Sequence, residues 1–109
     1  MPKTAPPETV QRLPERPLAV ARQAAATIRA ELGVATRVVW FGSWPRGDAL
    51  ERSDIDLAVD RQPGIGPEEL ARARARLDEL PTLYRVDLLA RAEVGDRLRD
   101  EIDRHGIDL

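Results

Sequence analysis

Trp40-Phe41-Gly42-Ser43-Trp44-Pro45-Arg46-Gly47, followed shortly by Ser53-Asp54-Ile55-Asp56-Leu57, is the stretch whose reading decides the fold. Val38 to Phe41 is a continuous β-branched and aromatic run, which predicts a strand buried on both faces. Gly42-Ser43 ends that run, and Ser43 is a candidate N-cap for a short helix reaching about Leu50. Ile55 to Val59 predicts a second strand. Side chains alternate along a strand, so Asp54 and Asp56 share one face, opposite Ile55 and Leu57. Leu83 to Leu89 predicts a third strand whose apolar character Asp87 interrupts.

Helical patterns flank these strands. Pro17 suits a first helical position, and Leu18, Ala21, Ala25, Ile28 and Leu32 then give one apolar face, with Gly33 as the expected cap. Gln62 to Gly66 reads as a turn. Pro67 opens the next helix, with Glu68 and Glu69 in its first turn. Leu70, Ala73, Leu77 and Leu80 are its expected buried face; Arg72, Arg74 and Arg76 are assigned to solvent, and Pro81 stops it. A last helix is expected from about Ala92 to Arg104, with Val94, Leu98 and Ile102 inward and Gly106 as its cap. His105, the only histidine, reads as structural or solvated at that helix end. Met1 to Arg16 holds four prolines and little periodicity, so 1–16 reads as a flexible arm and 17–109 as a single domain. The expected fold is α/β (α+β): a small mixed sheet of three to four strands with helices packed on it.

Composition narrows the function classes. The chain has 109 residues and a net charge of -2, which argues against an extended nucleic-acid surface. Only Lys3 is lysine among the 17 basic residues. Cysteine is absent, so neither a disulfide nor a thiolate metal site can form. No run approaches the length of a membrane span and no signal-peptide core is visible, so a cytoplasmic protein is expected.

The carboxylates carry the chemistry. Two aspartates on one face at the start of a strand concentrate negative charge, and each raises the pKa of the other. Mg²⁺ relieves this, since it prefers a few carboxylates, several waters and substrate phosphates. Asp87 sits among Val86, Leu88 and Leu89, where an unpartnered charge is costly, so a metal or a neighbouring strand's site is expected beside it. Gly42 allows close backbone approach to a ligand. Asp54 and Asp56 lie 11 and 13 residues beyond Ser43. The Arg46 fork suits a phosphate or a structural carboxylate, and both stay open. Trp44 is expected to be exposed, stacking on a base, facing a partner or packing in the turn.

Gly-Ser, a short turn or helix, then Asp-x-Asp resembles the signature of the polymerase-β-like nucleotidyltransferase superfamily. Within it the chain resembles the minimal nucleotidyltransferases (MNT), antitoxin partners of HEPN-domain toxins. The motifs run from Gly42 to Asp87, and Arg46 matches the arginine of the group's Gly-Ser-x-Ala-Arg-Gly pattern; Pro45 departs from its alanine. The resemblance implies that Asp54 and Asp56 ligate two Mg²⁺ ions and Asp87 one. It also implies that Gly42, Ser43 and Arg46 form the nucleotide end, with Ser43 on the β- and γ-phosphates of ATP. The expected reaction moves AMP to a hydroxyl and releases pyrophosphate.

Larger relatives add a helical domain that holds the acceptor, whereas this sequence stops about twenty residues after Asp87. The expected acceptor is therefore another chain, a HEPN toxin modified on a tyrosine, in a homo- or hetero-oligomer. Two other readings stand beside this: a non-catalytic antitoxin that masks its toxin, and an enzyme acting on a small molecule. Degenerate carboxylates would mark the non-catalytic form, and all three are present here.

Overall fold

The computed structural model describes residues 13–60 and 64–109. The elements run α1 (Glu15–Leu32), β1 (Val38–Phe41), α2 (Ser43–Arg46), β2 (Ile55–Val59), α3 (Pro67–Asp78) and β3 (Val86–Ala90). A 3₁₀ turn (Arg91–Glu93), α4 (Asp96–His105) and β4 (Ile107–Asp108) complete the chain. The sheet has the order β3-β2-β1-β4. β1 is antiparallel to β2 and to β4, and β2 is parallel to β3, so the sheet is mixed.

Alternation along the strands sorts the core into two faces. Val38 and Trp40 of β1, Ile55, Leu57 and Val59 of β2, and Val86, Leu88 and Ala90 of β3 point to one face. There they meet Ala21, Ala24, Ala25, Ile28 and Leu32 of α1 and Leu70, Ala73 and Leu77 of α3. Trp40, Ile28, Ile55 and Leu57 are fully buried, and each such side chain contributes roughly 1.5–3 kcal/mol of transfer free energy. The opposite face is smaller. Val39, Phe41 and Ala58 pack against Ile102 of α4, with Leu89, Val94 and Leu98 at the margin. α4 covers only part of that face, and an open cleft lies beside it.

Several boundaries differ from the sequence reading. α1 begins at Glu15, two residues before Pro17. The rest of the expected arm, residues 1–12, lies outside the described residues, as do 61–63 of the expected turn. α2 is a single turn and stops at Arg46, not near Leu50: Gly47 takes the left-handed conformation (φ 88, ψ 12) and its N–H bonds back to Ser43 and Trp44. The N-cap is Gly42, so Ser43 is the first helical residue. β3 starts at Val86; Leu83, 79% exposed, belongs to the turn after α3. Leu80 lies past the end of α3 and is half-buried. The final helix is split, because Gly95 caps α4 and leaves Arg91–Glu93 as a separate turn. The arginines of α3 are not simply solvated. Arg74 Nε donates to the Leu88 carbonyl (2.9 Å), and Arg76 pairs with Glu31 of α1 (2.8 Å). Among the described residues no helix is long and apolar enough to cross a membrane.

Candidate active site

Gly42 is the pivot. Its φ of 88 and ψ of -153 fall where essentially only glycine is comfortable. A Cβ at this position would collide with the Asp56 carboxylate. The missing side chain therefore lets the end of β1 turn directly over Asp56, its neighbour across the ladder through Phe41. β3 supplies the other carboxylate. Asp56 and Asp87 are register partners on parallel strands, so both project from the α4-bearing face of the sheet. Asp54 stands just before β2 and is exposed.

These residues line one open cleft of about 850 Å³ with Gly42, Ser43, Arg46, Arg52, Ser53, Arg85 and Glu101. Burial first, then the charges of Asp87, Asp54 and Glu101, push the Asp56 carboxyl from its ordinary 3.8 up to about 6; Arg46 acts in the opposite direction. Asp56 is thus an anion held where its charge is unwelcome, a common mark of a functional site.

Trp44 holds the surrounding loops in place, contrary to the expectation of an exposed ring. Its indole Nε1 donates to the Ser53 carbonyl at 2.9 Å, one residue before Asp54. Its ring packs edge-on against Tyr84, with centroids 6.1 Å apart, one residue before Arg85. Ser53 Oγ accepts from Leu50 N (2.7 Å) and closes the loop between α2 and β2. One side chain in the α2 turn therefore braces the starts of both carboxylate-bearing strands.

Arg46 is engaged by carboxylates: Glu101 at Nη1, and Asp48 at Nε and Nη2. Glu101 is the functional candidate that the sequence reading missed. The available signal is its position three residues after Leu98 and beside Ile102, both inward on α4.

The donor set fits a hard divalent cation, since Mg²⁺ selects carboxylate oxygens and keeps part of its water. An anion as disfavoured as Asp56 is relieved by a cation. Among the described residues, no three His, Cys, Asp or Glu side chains are gathered as a ready-made metal cage. Asp87 instead accepts from Arg85 Nε at 3.1 Å. That pair is exposed (75% and 43%), and such pairs contribute at most about 1 kcal/mol, so an arriving cation can take Asp87 from Arg85.

Comparison with known proteins agrees with this geometry. The family model described as "Polymerase beta, Nucleotidyltransferase" matches residues 28–109. A solved structure described as a candidate minimal nucleotidyltransferase is 32% identical, with 82% of this chain and 95% of that one covered and a TM-score of 0.59. Two structures at 19% identity share the fold. One is described as a toxin–antitoxin with AMP-PNP (TM-score 0.65; 81% of this chain, 70% of that one). The other is a candidate nucleotidyltransferase from Sulfolobus solfataricus (TM-score 0.55; 93% and 82%). None of the curated proteins matches the chain. With the family model covering three quarters of its length and the Gly-Ser turn set against Asp-x-Asp, the chain belongs to the polymerase β nucleotidyltransferase family, among its minimal members.

Proposed function

We propose that this chain transfers AMP from ATP to a hydroxyl of a partner protein, a HEPN-type toxin in the cytoplasm, and so acts as its antitoxin. The observation that supports this most is the placement of Asp56 and Asp87 as register partners opening, with Asp54, onto the cleft lined by Gly42 and Ser43. The likeness in fold to a toxin–antitoxin structure containing AMP-PNP supports the choice of nucleotide and partner.

In this reading Gly42 and Ser43 receive the triphosphate, because the bare glycine lets phosphate oxygens approach the backbone. Asp54 and Asp56 would hold two Mg²⁺ ions and Asp87 one of them; the ions would neutralise phosphate charge and favour the leaving pyrophosphate. The acceptor oxygen bonds to the α-phosphorus as the bond from that phosphorus to the pyrophosphate oxygen breaks. The hydroxyl proton passes to the Asp87 carboxylate. Catalysis then rests on position and electrostatics. Among the described residues the cleft opens to solvent, and in this reading the partner supplies the wall that aligns its hydroxyl.

A binding-only antitoxin is favoured by one feature, the engagement of Asp87 by Arg85. Co-expression with the neighbouring gene's product separates the two readings. Intact-mass spectrometry should find an AMP-sized increase on a partner Tyr, Ser or Thr with the parent and none with Asp54→Asn. Equal neutralisation of toxicity by both forms, without a mass increase, would establish the binding-only module.

A further inference from the structure

We propose that Arg46 serves nucleotide binding through Glu101 and not by touching phosphate: it cancels a fourth carboxylate in the cleft and ties the Gly42–Ser43 turn to α4. This rests on the nucleotide-transfer reading and assigns a positioning role within the same site.

The guanidinium is already committed on two sides. Nη1 bonds to Glu101 Oε1, while Nε and Nη2 each lie 3.3 Å from the Asp48 carboxylate. The backbone that carries each partner is held independently of Arg46. Glu101 adjoins Ile102, which is buried in the smaller core and anchors α4 there. Asp48 follows Gly47, and its N–H bonds to the Ser43 carbonyl at 3.1 Å. Arg46 therefore bridges the α2 turn to a helix 55 residues away in sequence.

Charge explains why the bridge matters. Asp54, Asp56 and Asp87 already line the cleft, and Glu101 lines it with them. Adding a triphosphate, itself a polyanion, beside an unpaired fourth carboxylate is unfavourable. Two like charges a few ångströms apart near a protein surface repel strongly enough to weaken affinity several-fold. Paired with Arg46, Glu101 adds no net charge. Losing Arg46 uncovers Glu101, and the harm should vanish when Glu101 is neutral.

That makes a four-protein cycle decisive: parent, Arg46→Gln, Glu101→Gln and the double variant, with MgATP binding measured by titration calorimetry. Arg46→Gln should weaken binding about fivefold in the parent background and less than about twofold in the Glu101→Gln background. Arg46→Lys should retain affinity within about twofold of the parent, since a cation beside Glu101 suffices. An equal loss from Arg46→Gln in both backgrounds would mean direct phosphate contact and overturn the proposal. So would no loss in the parent background. If the parent itself bound no MgATP, the nucleotide-transfer reading would fall. The tie between α2 and α4 would then be judged from urea midpoints of the same four proteins, where Arg46→Gln must destabilise only while Glu101 is charged.

Discussion

Replacing Asp56 by Asn should make the protein more stable while ending its chemistry. The carboxyl is raised from 3.8 to about 6 by burial and by Asp87, Asp54 and Glu101. A shift of about two units corresponds to roughly 3 kcal/mol, at about 1.36 kcal/mol per unit. Asp56 is only half-buried, and solvent screening reduces that figure to about 1–2 kcal/mol. The sign follows from proton binding. Because the folded-state pKa is the higher one, the folded protein binds more protons between pH 4 and 6, and stability is lost as pH rises through that window. Above it the parent carries the full cost. Asn has nearly the same shape and no charge, so the gain should be about 1–2 kcal/mol in urea unfolding at pH 7.5 without divalent ions, and near zero at pH 3.5. A destabilised variant, or a gain equal at both pH values, would refute the electrostatic reasoning.

Gly42→Ala should destabilise by about 2 kcal/mol or more, since φ 88 and the Asp56 contact both oppose a Cβ. Gly47→Ala, with nothing near the new methyl, should cost only about 1 kcal/mol; equal losses in urea melts would contradict the role given to Asp56 beneath Gly42. Trp44→Phe removes the bond to Ser53 but keeps a ring against Tyr84. It should cost about 1 kcal/mol and lower the transfer rate, and an unchanged rate would show that Asp54 does not depend on this brace. Millimolar Mg²⁺ should raise the melting temperature of the parent and not that of Asp56→Asn; equal shifts would place the ion elsewhere. Leu57→Ala, on β2 and fully buried against α1 and α3, should cost about 2–5 kcal/mol in the same melts.

The parts of the fold legible in the sequence were those with a strong period. β1 and β2 were placed residue for residue, because unbroken β-branched and aromatic runs between polar turns leave little choice. The apolar spacing of α1 and α3 gave their faces. β4 escapes a sequence reading because two residues, Ile107 and Asp108, carry no period; only their pairing with Trp40 and Val39 makes them a strand. The early end of α2 depends on a left-handed Gly47, which a sequence with several glycines does not single out. In the site, aspartate spacing placed Asp54 and Asp56, and the interrupted apolar run of the third strand set Asp87 with them; the exact register, Asp87 opposite Asp56, is a property of the parallel pair. Glu101 and the bracing by Trp44 come from contacts across 55 and 40 residues, which local patterns do not contain.

Label transfer tests the central claim most directly. The chain and its co-purified partner would be incubated with Mg²⁺ and ATP labelled either at the α-phosphate or at the γ-phosphate. The partner should retain α-label and no γ-label with the parent chain, and neither label with Asp56→Asn. Retention of γ-label, or α-label transfer at the parent rate by Asp56→Asn, would contradict nucleotidyl transfer at this cleft.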